Sequence, residues 1–124
     1  MSKFVIASGP VIIEKGKVLL DKHGKDNFWK FPGGTIKRSE TLEECAKKRA
    51  REELGINVEL VKPLKPIMIW RRNKTIILIH YLAKRKGKIK HASHIRECRW
   101  IPINNLPKDV GPNIKPILKE IKKF

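Results

Sequence analysis

The 124-residue chain has the length of one domain with its own hydrophobic core, and 40% of its residues are hydrophobic. This composition excludes a disordered or fibrous chain, and no apolar run approaches the roughly 18 residues of a membrane-spanning helix. Residues 1–13 lack the pattern of a signal peptide, so we expect a single cytoplasmic domain over residues 1–124, with no membrane partner.

The charge of the chain is the strongest feature of its composition. Lys and Arg number 29 against 12 Asp and Glu, which gives a formal net charge of +17. Such an excess predicts attraction to polyanions such as nucleotides, RNA or acidic lipid. RNA or another polyanion is therefore a candidate partner, and an ordinary solvated surface rich in lysine is the alternative.

The first third of the chain predicts a β-hairpin and a glycine turn. Residues 4–13 and 17–20 are aliphatic and flank a polar turn, with a bulge or sheet edge expected at Pro10. Residues 21–27 are polar and include a glycine, which predicts a surface loop. Residues 28–31 predict a short aromatic strand that ends at a Pro-Gly-Gly turn, where the backbone can approach a ligand closely.

The clearest local prediction is a helix over Leu42–Leu54. Thr41 followed three residues later by Glu44 forms a capping box at its start, and Gly55 follows its last residue. On a helical wheel Arg49 and Glu53 fall within the apolar face. Because charged residues are rarely buried without a partner, we expect these two either to pair with each other or to line a polar pocket.

The rest of the chain predicts further strands and a terminal helix. Strands are expected at residues 58–61, 67–70, 75–83 and 95–103, with a basic loop over residues 84–90. Asn113 precedes apolar residues at helical spacing and can cap a terminal helix. Strands interspersed with one central and one terminal helix indicate an α+β fold with a mixed sheet between helices.

Residues 34–56, with the aromatic Pro-Gly turn before them, resemble the signature box of the Nudix hydrolases, G-x5-E-x7-R-E-U-x-E-E-x-G-U, where U is aliphatic. The resemblance implies an α/β/α sandwich with a mixed β-sheet. It also implies an enzyme that uses Mg²⁺ or Mn²⁺ to cleave the pyrophosphate linkage of a nucleoside diphosphate linked to another moiety. The substrate would be a nucleotide-type small molecule.

The same resemblance implies roles for four residues. Gly34 matches the box glycine, whose carbonyl oxygen reaches a metal ion, and Glu40 matches the glutamate that supports the box loop. Glu52 and Glu53 match the final acidic pair, so both are candidates for metal binding and catalysis. Carboxylate oxygens facing a glycine turn suit a hard cation such as Mg²⁺.

Two residues of this chain depart from the box. Lys48 stands in place of an arginine and Arg49 in place of a glutamate that normally binds metal. The second change puts a positive charge in the metal shell, so we expect weaker Mg²⁺ binding and an ion pair between Arg49 and Glu53. Both cations are candidate substrate-binding residues.

Four further residues are candidates on the same resemblance and on their chemistry. Glu97, three residues before a tryptophan, matches an element that often supplies another catalytic acid, and His94 is a weaker candidate base. Trp29 could stack on a base and Arg71 could hold a phosphate. Packing in the core, for the tryptophan, and solvation in a turn, for the arginine, are the alternatives.

A second hypothesis follows from Arg49 and the net charge. The chain could be a catalytically impaired protein of the same fold that binds nucleotides or RNA through its basic surface. Turnover in the presence of a divalent ion, measured with and without a glutamate at position 49, separates the two hypotheses.

Overall fold

The computed structural model describes residues 3–121, which form seven β-strands, two α-helices and one 3₁₀ turn. The order along the chain is β1 (Lys3–Glu14), β2 (Lys17–His23), β3 (Gly34–Thr35), α1 (Leu42–Leu54), β4 (Asn57–Pro63), β5 (Ile67–Arg71), β6 (Lys74–Lys86), β7 (Ile95–Pro102), the 3₁₀ turn (Ile103–Asn105) and α2 (Ile114–Ile121).

The strands form one mixed sheet. Its order is β4-β6-β1-β2-β7, with β3 paired to β1 and β5 paired to β6. Strands β1 and β6 run parallel, and the other pairs are antiparallel. The predicted mixed sheet is therefore confirmed.

The two helices cover opposite faces of this sheet. Successive residues of a strand point to opposite faces, and in β1 Val11 packs with Ile114 and Ile117 of α2, while Ile12 packs with Ala50 and Leu54 of α1. Burial of both helices against the sheet gives the predicted α/β/α sandwich.

Helix α1 has the predicted bounds. The Thr41 side chain accepts a hydrogen bond from the Glu44 N–H at 3.1 Å, and the Glu44 carboxylate accepts one from the Thr41 N–H at 2.9 Å. Gly55 ends the helix in the left-handed conformation, with φ of 67°. These caps fix where the charged residues near the end of the helix are held.

The two predictions for the first hairpin have different outcomes. Strand β1 continues through Pro10, which lies opposite Tyr81 in the parallel ladder with no bulge there. On its other side β1 pairs only at residues 7–8 and 13–14, so the alternative of a sheet edge at Pro10 agrees with the pairing. The prediction of a surface loop from residue 21 is wrong at its start. Strand β2 continues to His23, into the predicted surface loop, because β7 pairs with it over Asp21 and Lys22 as well. Asp21 is consequently buried and faces the sandwich interior rather than solvent.

Other strand bounds also differ from the predictions. Residues 28–31 make only isolated bridges, from Trp29 to Val110 and from Lys30 to Asp21. Strand β6 extends to Lys86, into the predicted basic loop, because β4 pairs with it to that residue. Within the described range, neither helix is long and apolar enough to cross a membrane.

Strand β1 pairs with β3 at residues 7–8 and with β2 at residues 13–14, and the Pro-Gly-Gly turn packs against β1 between them, at Gly9. A Cβ atom at Gly9 would lie 1.9 Å from the Pro32 carbonyl oxygen, so only glycine permits this approach. Beyond the turn, Gly34 and Thr35 pair with Ser8 and Ala7 of β1. The turn is thereby held between the sheet and the end of α1.

Candidate active site

The carboxylate of Glu53 lies at the centre of a buried polar group near the end of α1. It is 4% exposed. Its Oε1 atom accepts a hydrogen bond from the Gly33 N–H at 3.2 Å and lies 3.1 Å from Nε2 of His23. Glu53 therefore links the helix to the glycine turn and to the end of β2.

Asp21 completes this group from β2. It is fully buried, and its Oδ1 atom lies 3.3 Å from the same Nε2 of His23. Among the described residues, neither carboxylate oxygen of Asp21 accepts a hydrogen bond of acceptable geometry. One N–H cannot point well at two acceptors, so His23 satisfies Glu53 and reaches Asp21 mainly through its charge.

The surroundings of this group shift the pKa values of Asp21 and His23. The nearby carboxylates of Asp21 and Glu53 raise the pKa of His23 to about 9, so this imidazole is a cation at neutral pH. Burial raises the pKa of the Asp21 carboxyl, since desolvation disfavours its charged form. The donor atoms of Asp21, His23 and Glu53 all lie within 4.8 Å of one another, a spacing that could hold a metal ion.

Arg49 does not pair with Glu53, contrary to our expectation. Its guanidinium donates to Glu52, to Glu40 at 3.4 Å and to the Thr35 carbonyl oxygen at 3.4 Å. Glu53 already accepts hydrogen bonds from the turn and from β2, and its side chain lies away from this cation. Arg49 instead links α1 to the segment before it, through Thr35 and Glu40.

Glu53 differs from the other candidate residues of the box, which already have partners within the box or its loop. Glu52 is about half exposed and paired with Arg49. The Gly34 carbonyl oxygen accepts a hydrogen bond from the Cys45 thiol at 3.4 Å. Glu40 accepts from the Lys37 N–H at 2.8 Å, which lowers the pKa of its carboxyl. Only Glu53 of the box stands among other candidate ligands.

A cavity of about 300 Å³ opens beside the glycine turn, on the α2 side of the sheet. Gly33 lines it and also donates a hydrogen bond to Glu53, so the backbone of the turn connects the cavity wall to the carboxylate group. The remaining walls are largely apolar and aromatic, with Phe28 and Phe31 among them. Such walls suit the flat ring of a base.

His80 of β6 is a polar group in the wall of this cavity. It is 5% exposed, and its Nδ1 has no hydrogen-bond partner in the described part of the chain. Burial lowers the pKa of the imidazole to about 4. His80 is consequently neutral at pH 7 and can exchange a hydrogen bond with a bound molecule.

We expect the protein to lose about 3 kcal/mol of folding free energy between pH 7 and pH 4 through His80 alone. The unfolded chain takes up a proton at this histidine below about pH 6.5, whereas the folded chain does so only near pH 4. Urea denaturation at both pH values, compared with His80→Gln, measures the effect. An equally steep loss in the variant would contradict it.

A basic cleft adjoins the cavity at the turn between β5 and β6. The cleft is lined by Lys3, Arg71, Arg72 and Lys74, and no carboxylate is among its described lining residues. Arg71 and Ile76 line both the cleft and the cavity. A phosphate group of a ligand seated in the cavity could therefore meet the Arg71 guanidinium.

Three other candidates lie elsewhere. Trp29 packs in the core on the α2 side, beneath Lys22 and Arg99. Lys48 is partly exposed, with its Nζ 3.6 Å from Glu40. Glu97 pairs in the sheet with Lys22, on the face opposite Asp21, and binds Arg99 at 3.0 Å. The structure does not bring these residues to the Glu53 group.

Sequence reasoning missed Asp21 and His23. Both follow Leu19 at a spacing of two, which places them on the α1 side of β2 if the strand continues. We predicted a loop over residues 21–27, so this alternation was not read as a continuation of the strand. His94, considered as a base, lies beside this group with its ring centroid 5.7 Å from that of His23.

Comparison with known proteins identifies related folds and sequences. A family model described as the NUDIX domain matches residues 3–121. The crystal structure of a MutT NUDIX hydrolase from Burkholderia pseudomallei superposes with a TM-score of 0.88 at 21% identity, over 97% of this chain and 99% of that one. This likeness establishes the fold.

Two sequence relatives are informative. YtkD of Bacillus subtilis, provisionally named an 8-oxo-dGTP diphosphatase, is 30% identical over 81% of this chain and 63% of its own length. An RNA pyrophosphohydrolase of Blochmanniella pennsylvanica is 29% identical over 76% of this chain and 56% of its own. The matched region thus spans less than two thirds of either relative.

Proposed function

Because the chain belongs to the Nudix family, as the domain match over residues 3–121 shows, we propose that it hydrolyses the pyrophosphate linkage of a nucleoside diphosphate linked to another moiety. Water attacks one phosphorus, a new P–O bond forms, and the bond from that phosphorus to the bridging oxygen breaks. We place this reaction in the cytoplasm, with a nucleotide-type small molecule as substrate.

One observation carries the proposal: the buried Glu53 carboxylate lies directly behind the turn that lines the cavity. The Gly33 N–H donates to Glu53 at 3.2 Å, and the same residue forms part of the cavity wall. A nucleoside held in the cavity would project its phosphates along the turn. This arrangement supports a role for Glu53 at the pyrophosphate rather than at the base.

The residues around Glu53 fit a divalent cation such as Mg²⁺ or Mn²⁺. Asp21 contributes a buried carboxylate to which no described residue donates a hydrogen bond, and the three candidate ligand atoms converge within 4.8 Å. When bound, such an ion neutralises phosphate charge and lowers the pKa of a coordinated water. The hydrogen bond from Gly33 fixes the Glu53 carboxylate beside the glycine turn. Arg71 and Lys30 in the cavity wall can balance the remaining negative charge of the phosphates.

The cavity supports a nucleoside as the other half of the substrate. Phe28 and Phe31 offer aromatic surface, and His80 offers a neutral, unpaired imidazole nitrogen for the edge of a base. The names of the relatives suggest three ligands to test, which are 8-oxo-dGTP, ADP-ribose and RNA.

A panel of nucleotides tests the proposal. The purified protein is incubated with 8-oxo-dGTP, ADP-ribose, a dinucleoside polyphosphate and 5′-triphosphorylated RNA, each with Mg²⁺, with Mn²⁺ or with chelator, and products are separated by anion-exchange chromatography. We expect ion-dependent cleavage of at least one substrate. Turnover that appears only when Arg49→Glu restores the box glutamate would instead support a protein that binds without hydrolysis.

Binding of RNA or another polyanion through the basic surface is a second candidate function. Trp70 of β5 is 69% exposed, and it lies across Thr75 from Phe4, which is also exposed. The basic cleft begins at the next residue, Arg71. An exposed aromatic surface beside clustered cations is the combination that single-stranded nucleic acid binds.

We expect Trp70→Ala to weaken binding of single-stranded RNA about tenfold, because one stacked base is lost. Affinity should also fall at least about tenfold between 50 and 200 mM salt, since bound RNA releases counterions. Fluorescence anisotropy with a labelled oligonucleotide measures both effects. Val61→Ala, at an exposed apolar residue of β4, is the control; equal loss in the two variants would argue against stacking at Trp70.

A further inference from the structure

The strongest unexplained feature of the molecule is the loss of one box carboxylate beside a buried polar group that the box does not include. Arg49 occupies the position of a box glutamate and pairs with Glu40 and Glu52. Glu53 instead contacts His23 of β2, and the same histidine nitrogen lies beside Asp21 of that strand.

Asp21 is the observation that points to a ligand. A fully buried carboxylate is costly unless it is paired or coordinates a cation. Both of its oxygens lack a hydrogen-bond donor within the described residues, and the nearest charged atom that the structure gives it is the His23 nitrogen at 3.3 Å. A cation bound here would supply the partner that both oxygens lack.

The distances suit an octahedral ion. Two adjacent ligands, each about 2.1 Å from such an ion, are themselves about 3 Å apart. Nε2 of His23 lies 3.1 Å from the Glu53 oxygen and 3.3 Å from the Asp21 oxygen. His23 is partly exposed, which leaves a path for an ion to reach the group.

We propose that this chain binds its divalent cation through Asp21, His23 and Glu53, with the ion taking the place of the proton on Nε2 of His23. A histidine nitrogen and a β2 carboxylate then stand in place of the box ligands at positions 49 and 52. This inference rests on the proposed function, because hydrolysis of the pyrophosphate is what gives the ion its role. A nitrogen ligand favours Mn²⁺, Co²⁺ or Zn²⁺ over Mg²⁺, which prefers oxygen ligands. The expected metal preference therefore differs from the Mg²⁺ that the box implies.

Pulsed electron paramagnetic resonance of bound Mn²⁺ tests this ligand set directly. The untagged protein is loaded with Mn²⁺ without nucleotide, and we expect a ¹⁴N coupling from the imidazole. The coupling should disappear in His23→Gln and persist in His94→Gln, which alters a neighbouring ring outside the group. A wild-type spectrum without ¹⁴N coupling, or no Mn²⁺ binding at millimolar concentration, would overturn the proposal.

Calorimetric titration gives a second, independent measurement. Asp21→Asn keeps the shape of the side chain and removes its charge, and we expect its Mn²⁺ affinity to fall at least about tenfold. Glu52→Gln should alter the affinity less than about threefold. A large loss in Glu52→Gln with none in Asp21→Asn would assign the ion to the box ligands instead.

The two experiments separate this inference from the proposed function. A ¹⁴N coupling in a protein that cleaves none of the nucleotides would retain the metal site and refute the hydrolase. Ion-dependent cleavage without the coupling would retain the hydrolase and refute the histidine ligand.

Discussion

Replacing Glu53 with glutamine is expected to lower kcat/KM for nucleotide hydrolysis about 100-fold or more. Glutamine is nearly the same size but removes the buried charge that meets His23, Asp21 and the glycine turn. The pyrophosphate would then lose the cation that we propose this carboxylate holds. Initial rates over a range of substrate concentrations, at saturating Mn²⁺, give the measurement.

Two glutamates at other positions sharpen this prediction. Glu59→Gln makes the same change on β4, where the carboxylate is exposed and lies 3.8 Å from Lys86, and should leave the rate unchanged. Glu52→Gln should cost about tenfold or less, since its carboxylate is half exposed and held by Arg49. A larger loss at position 52 than at position 53 would contradict the central role of Glu53.

Reversing the charge at Arg49 is expected to cost about 3 kcal/mol of folding free energy. Arg49→Glu removes the buried cation that joins Glu40, Glu52 and the Thr35 carbonyl oxygen, and it adds a third carboxylate to them. Urea denaturation in the presence of chelator measures the loss. Added Mn²⁺ should restore part of it by binding the new carboxylate cluster.

Lys47→Glu provides the matched comparison for this charge reversal. Lys47 is exposed on the same helix, so its reversal should change stability by about 0.5 kcal/mol at most. If Arg49→Glu were equally mild, the hydrogen bonds of Arg49 would contribute little to the box loop. The absence of a box glutamate would then have no structural compensation.

The features set by nearby residues could be predicted from the sequence. Helix α1 has the predicted bounds because its caps, Thr41 with Glu44 and then Gly55, are local signals. Helical periodicity also predicted that Arg49 and Glu53 would be buried. Alternation of strands with two helices predicted the order of the layers.

Features that depend on distant partners could not be predicted in this way. Strand β2 extends to His23 because β7, more than 70 residues later, supplies the paired backbone. The partner of Arg49 was misassigned because Gly33 and His23 already hold Glu53. The register between β2 and β7 places Glu97 on the opposite face, and that register is not visible in the spacing of the sequence.

Glu53 and the two β2 residues beside it, Asp21 and His23, therefore form the proposed centre of the site. The most direct test is a crystal structure of the protein with Mn²⁺ and a non-hydrolysable nucleotide, in which anomalous scattering locates the ion. We predict a peak bound by Glu53, His23 and Asp21, with the phosphates along the turn at Gly33 and the base in the cavity. An ion bound by Glu52 and Gly34 and remote from His23, or a nucleotide bound away from this turn, would contradict the account.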